Sequence, residues 1–166
     1  MYTLYAPPTK DATPRVTEYV IRDADEWEYF ASMCTGLNPR WVQRQLQPGS
    51  KIYIVPHPTG LAVRTFAKMS RYSPTEAELK VLCTKLHAQG KGYARVLMSQ
   101  LEELAKRKGY SFIRIESVPD AVSFYETIGY SVVGPDEDSG LVIMKKGISQ
   151  KRGGYKTRRR RTRRNL

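Results

Sequence analysis

Read for the spacing of its apolar positions, the chain changes period several times. Trp27, Phe30, Ala31 and Cys34 recur at helical intervals, and Gly36 follows where a helix can stop. Trp41, Val42 and Leu46 predict a second short helix, ended by Pro48 and Gly49. From Ile52 the period shortens. KIYIV is strand-like, His57-Pro58-Thr59-Gly60 has turn chemistry, and LAVRTFAKM resumes the alternation, so a hairpin is predicted. Leu79, Val81 and Cys83 then alternate with Lys80 and Leu82 as a further strand.

Residues 92 to 108 carry the clearest helical pattern. Tyr93, Val96, Leu97, Leu101 and Leu104 share one face, Lys106, Arg107 and Lys108 fill the last turn, and Gly109 lies beyond. YSFIRIE alternates as a strand. Pro119 and Asp120 suit the first turn of a helix whose apolar face is Ala121, Val122, Phe124, Tyr125 and Ile128, with Gly129 after it. Residues 130–133 and 141–144 predict two short strands around the acidic turn GPDEDSG. Pro7, Pro8 and Pro14 make residues 1–15 an irregular lead-in, and no internal repeat is present.

Composition narrows the picture. A chain of 166 residues with 40% hydrophobic content can fill one core, so residues 1–150 are expected to form a single domain. The net charge of +12 is concentrated: residues 151–166 hold nine Lys or Arg and no acid, which leaves +3 for residues 1–150. No run approaches the roughly 18 apolar residues of a membrane span, and the N-terminal stretch has neither the basic flank nor the apolar core of a signal peptide, so an intracellular protein without membrane contact is expected. Cys34 and Cys83 lie far apart with no Cys or His at metal-ligand spacing, so they are read as reduced, partly buried thiols rather than a disulfide, and no metal site is expected.

The stretch QGKGYARVL places two glycines just where a helix begins. A helix N-terminus presents unpaired N–H groups and a partial positive charge, and a glycine-rich approach lets phosphate oxygens reach the backbone. The spacing is neither G-x-G-x-x-G nor G-x-x-x-x-G-K-[ST], and a plain tight turn is the alternative. Gln89-Gly90-Lys91-Gly92-Tyr93-Ala94 resembles the acyl-coenzyme A signature of the GNAT superfamily of N-acetyltransferases, with Gln89, Gly92 and Ala94 in its defining places. Residues 121–130, AVSFYETIGY, are similar to the family's short helix ending in Phe-Tyr, three residues, Gly and an aromatic residue. The resemblance spans roughly residues 75–134. It implies an α/β (α+β) fold: a mixed, mostly antiparallel sheet flanked by helices, with acyl-coenzyme A entering between splayed strands four and five. Those strands are placed at residues 78–84 and 111–116.

The same resemblance implies site residues. Acetyl transfer from a thioester needs a neutral amine, a polarised carbonyl and a proton for the departing thiolate. A lysine-like amine with pKa about 10.4 is almost wholly charged at neutral pH, so a base helps. Glu78 stands eleven residues before Gln89, the spacing of the general base in the histone-acetylating branch. Cys83 comes one residue later than that branch's cysteine, so a register shift would turn Glu78 to the other face; otherwise it is an ordinary solvated carboxylate. Tyr125 matches the tyrosine that protonates or positions the thiol in family members; its alternative is a core aromatic beside Phe124. Backbone groups of Leu82, Cys83 and Thr84 are implied as contacts for the pantetheine arm and thioester oxygen. The amides of Gly90, Lys91, Gly92, Tyr93 and Ala94 are implied for the pyrophosphate. His87 is expected to be exposed. Val118 occupies a position where many members carry Asn.

KRGGYKTRRRRTRRNL cannot bury a core and is expected to be disordered when free. Lys156, Arg158, Arg159, Arg160, Arg161, Arg163 and Arg164 would bind nucleic acid phosphates without sequence preference, and the run can also act as a nuclear signal. A solvated tail is the alternative. Its Gly-Gly and Arg-rich ending resembles tails of large DNA virus proteins, which points to a host nucleus or a virion. Two whole-protein readings follow: an acetyl-CoA-dependent N-acetyltransferase acting on protein lysine first and a polyamine or small amine second, or an inactive GNAT-like basic structural protein. Acceptor pockets in such folds come from the N-terminal helices and last hairpin, where no motif is found.

Overall fold

The computed structural model describes residues 14–57 and 62–148. The basic tail and its proposed phosphate contacts therefore lie outside the described residues. Among the described residues, seven strands and four α-helices follow one another as β1 (Thr17–Val20), α1 (Ala24–Ser32), α2 (Pro39–Gln45), β2 (Lys51–Pro56), β3 (Val63–Arg71), β4 (Glu76–Thr84), α3 (Tyr93–Arg107), β5 (Phe112–Ser117), α4 (Val122–Thr127), β6 (Ser131–Pro135) and β7 (Val142–Gly147). They form one sheet of order β1-β2-β3-β4-β5-β7-β6. Every neighbouring pair is antiparallel except β4 and β5, which run parallel through the α3 crossover, as a right-handed β-α-β unit requires a helix between parallel strands.

Helices cover both faces of the sheet, and the apolar residues divide accordingly. In β2, Ile52 and Ile54 join one core with Phe30, Val42, Leu46 and Phe66, while Tyr53 and Val55 join the other with Leu97, Met98, Leu101 and Ile115. That two-sided burial is why KIYIV is a continuous apolar run rather than a strict alternation. Local signals set the helix starts. Asp23 caps α1 by accepting from the Glu26 N–H at 3.0 Å, and Asn38 caps α2 ahead of Pro39.

The predicted hairpin is β2–β3, α3 appears one residue shorter at each end than predicted, and α4 begins at Val122 because Pro119–Ala121, placed in its first turn, form a separate 3-10 turn. Residues 1–13 of the irregular lead-in lie outside the described residues and 14–16 form no regular element; just beyond it Thr17–Val20 form β1, a half-exposed edge strand on β2 that was not predicted. One expectation is overturned. Cys34 and Cys83 are joined in a disulfide with their Cα atoms 5.1 Å apart. Although 49 residues separate them, the end of α1 lies over β4, and both side chains point into the core on the α1–α2 face.

Candidate active site in the split sheet

The sheet opens in its middle. β4 and β5 are paired from Glu76↔Phe112 to Leu79↔Ile115 and no further, yet β4 runs on to Thr84 beside β3. Along Leu82, Cys83 and Thr84, backbone groups turned away from β3 thus meet no strand, and a peptide group left in that state needs another partner. A cavity of about 400 Å³ fills the opening. Its walls are Leu82, Cys83 and Thr84 of β4, Gln89 and Ala94 of the glycine stretch, Val118, Ala121, Phe124 and Tyr125 from the β5–α4 side, and Met33, Cys34, Thr35 and Leu37 from the α1–α2 connection.

At one end of the cavity stands the N-terminus of α3. Gly92 is its N-cap, with φ +82°, and Gly90 has φ +73°, both left-handed conformations that favour glycine. A Cβ at either position would meet open space, so a ligand can approach the bare backbone there. The first intrahelical bond runs from the Val96 N–H to the Gly92 carbonyl, which leaves the N–H groups of Tyr93, Ala94 and Arg95 without helical partners at the positive end of a 15-residue helix. Gln89 ties this turn to the sheet, its Nε2 donating to the Thr84 carbonyl at 3.2 Å. Lys91 and Tyr93 also border a second cavity with Arg64, whose guanidinium lies 4.3 Å over the Tyr93 ring. His87 is exposed there, as expected.

Tyr125 lines the same cavity. It is buried among Phe124 and Tyr130, and burial pushes its hydroxyl pKa up. Burial is the sole cause of that shift, and no hydrogen bond occupies the hydroxyl among the described residues, so its proton is available to a ligand in the cavity. Val118, standing where many family members carry Asn, lines the same cavity with an apolar side chain.

Glu78 is not part of that lining. It is 3% exposed, accepts from Arg114 at 2.9 Å and is also ion-paired with Lys80; Arg114 in turn donates to Glu116 at 2.7 Å and lies 4.6 Å over the Tyr72 ring. The extra residue between Glu78 and Cys83 is absorbed by a bulge: Val81 opposes Lys68 and Leu79 opposes Met69, leaving Lys80 unmatched. Glu78 therefore keeps the same face as Val81 and Cys83, toward α1 and α2, despite its odd separation from Cys83. The Arg114 partnership escaped sequence reasoning, although the parallel register Glu78↔Arg114 makes it a direct cross-strand pair of opposite charge.

Comparison with known proteins agrees with this geometry. The acetyltransferase (GNAT) domain model matches residues 35–145. No curated protein matches the chain by sequence. Among solved structures, the ribosomal-protein-S18-alanine N-acetyltransferase from Escherichia coli superposes with a TM-score of 0.59 at 16% identity, covering 84% of this chain and 98% of its own. Ard1 from Thermoplasma volcanium gives 0.60 at 18% identity, with 81% and 99% covered. An aminoglycoside 6'-N-acetyltransferase complexed with coenzyme A gives 0.62 at 15% identity, with 82% and 98% covered.

Proposed function

Because the chain belongs to the acetyltransferase (GNAT) domain family, we propose that it transfers an acetyl group from acetyl-coenzyme A to an amine by direct attack in a ternary complex. The observation that carries this is the opening between β4 and β5, where unpaired backbone, the α3 N-terminus and Tyr125 border one cavity. Acetyl-coenzyme A, when bound, supplies the acyl group already activated as a thioester. The amides of Gly90 to Ala94 are assigned to its pyrophosphate and the backbone of Leu82, Cys83 and Thr84 to the pantetheine arm and thioester oxygen.

Tyr125 is assigned to the departing sulfur. Burial keeps its hydroxyl protonated throughout the neutral range, which suits a hydrogen-bond donor, and makes complete loss of that proton costlier than for a solvated tyrosine. Its contribution is therefore the hydrogen bond that stabilises the developing thiolate. Glu78 is assigned as the acceptor of the amine proton. Since Arg114 and Lys80 already engage its carboxylate and it lies off the cavity wall, the proton would reach it through water, not by contact.

Protein lysine is the proposed acceptor, with a polyamine or small amine second. A tail that holds the enzyme on nucleic acid would raise the local concentration of protein substrates bound to the same polymer. An acetyltransferase fold kept only as a basic scaffold would have no need for an open channel, so the cavity favours turnover. Titrating acetyl-coenzyme A calorimetrically into the full chain at raised salt, which suppresses non-specific polyanion binding, tests the assignment. Micromolar binding that vanishes in Gly92→Glu is the expected result; a folded chain that binds no acetyl-coenzyme A overturns it.

A further inference from the structure

The cavity has two walls of different origin. Leu82, Cys83 and Thr84 belong to β4 at the centre of the sheet, whereas Met33, Cys34, Thr35 and Leu37 belong to the short connection between α1 and α2. The disulfide joins these walls directly.

Little else does. α1 is anchored further back, by Phe30 against Phe66 with ring centroids 5.1 Å apart, and α2 is tied to α1 by Trp27 Nε1 donating to the Gln43 carbonyl at 3.0 Å. The Met33 and Cys34 N–H groups donate to carbonyls of α1 itself, and among the described residues no hydrogen bond links residues 33–37 to β4. Thr35 and Gly36 are exposed. The connection is thus held over the cavity by one covalent bond and by apolar burial of Met33 and Leu37.

We propose that Cys34 and Cys83 form a redox-sensitive positioning clamp: oxidised, it fixes the α1–α2 wall over the thioester end of the cavity; reduced, it frees that wall and weakens the hold on this end alone. This rests on the cofactor assignment made above. The chemistry is exchange with a dithiol. One thiolate of the dithiol attacks a cystine sulfur, the S–S bond breaks, and the freed cysteine leaves as a thiolate that takes up a proton. The second thiolate then displaces the other cysteine from the mixed disulfide, so two electrons pass from the dithiol, which ends as its own disulfide. Both cysteines line the cavity, which gives a small reductant a way in.

The test compares the full chain before and after dithiothreitol, with thiols counted in each state. Three probes are read: affinity for acetyl-coenzyme A, affinity for adenosine 3',5'-bisphosphate, which lacks the pantetheine arm, and amide hydrogen exchange at residues 33–37 and in α3. Reduction is expected to weaken acetyl-coenzyme A about ten-fold through lost pre-organisation, to leave the bisphosphate unchanged, and to speed exchange at residues 33–37 by local opening, while α3 changes only by the fall in global stability that urea unfolding reads separately. A Cys34→Ser, Cys83→Ser double variant should match the reduced protein and ignore dithiothreitol.

Fully reduced protein with unchanged acetyl-coenzyme A affinity and unchanged exchange at 33–37 would overturn the clamp. So would an equal fall in bisphosphate affinity, which means that the whole site loosens rather than this wall. If neither redox form binds acetyl-coenzyme A, the proposed function fails, and exchange at 33–37 by itself decides whether the wall responds to the bond.

Discussion

The two faces of the sheet are held in different ways. On the α3 face, Leu97, Met98, Leu101 and Ala105 of one long amphipathic helix meet Tyr53, Val55, Ala67 and Leu79 from three strands, and shape complementarity among apolar groups does most of the holding. On the α1–α2 face two short helices share a smaller apolar core with the Cys34–Cys83 disulfide, and beside it the sheet carries the Glu78–Arg114–Glu116 cluster, with Lys145 donating to Glu76 at 2.8 Å. The first arrangement responds mainly to volume. The second rests on one covalent bond and on paired charges, so it is expected to answer to the loss of that bond and of single charges.

The largest effect that would sharpen this contrast is removal of the disulfide. A bond closing a loop of this length restricts the unfolded chain by an amount worth about 4 kcal/mol, so the Cys34→Ser, Cys83→Ser double variant should lose up to that much stability in urea unfolding. A loss below about 1 kcal/mol would show that the α1–α2 layer is held by packing after all, as the α3 layer is.

Tyr125→Phe should act in the opposite manner. Its hydroxyl has no hydrogen-bond partner to lose among the described residues, so stability should change little, while kcat falls about 100-fold, or about 2.7 kcal/mol, with KM nearly constant. Equal activity would remove Tyr125 from the chemistry and leave it as a core aromatic. Glu78→Gln comes next. Arg114 retains Glu116, so about 2 kcal/mol of stability should be lost rather than the larger cost of an orphaned buried charge. If Glu78 receives the amine proton, the same variant lowers kcat about ten-fold or more in addition; an unchanged kcat would assign Glu78 to structure alone.

What was legible in the sequence follows the same division. α3, α4 and the glycine turn are encoded by neighbours along the chain: apolar spacing, a last turn rich in Lys and Arg, and glycines where φ is positive. The resemblance of residues 89–94 and 121–130 to family motifs supplied the splay, and the break in pairing after Leu79 lies within the strands placed there. The features missed are those made by tertiary proximity. β1 has only four residues at a sheet edge, too few for its alternation to stand out. The disulfide depends on α1 folding back over β4, and the reading of reduced thiols rested on compartment and sequence distance, neither of which senses that approach. The bulge at Lys80 is likewise invisible until β3 is laid beside β4, though it explains why an extra residue in the strand leaves Glu78 and Cys83 on one face.

The smallest effect lies at the corner between β1 and α1, and it asks whether the α1–α2 face senses pH as well as redox state. Burial alone would raise the Glu26 carboxyl, but hydrogen bonds from Arg22 and from the Tyr19 hydroxyl outweigh it and bring the pKa down to about 2 from an ordinary 4.5. The same contact, behind burial, raises Tyr19 to about 12 from 10. A carboxyl depressed on folding adds stability that is complete above about 4.5 and is lost as pH falls toward about 2; a phenol raised on folding adds stability that is complete below about 10 and is lost as pH rises toward about 12. Arg22 is half exposed, so solvent screening reduces the acid-side gain to about 1 kcal/mol. Hydrogen exchange measured at pH 6 and pH 3 should therefore show β1 and α1 opening more readily at the lower value while α3 keeps its protection. Glu26→Gln should remove most of that difference. Uniform loosening of both faces in acid would mean that the corner between β1 and α1 does not respond separately from the rest of the sheet.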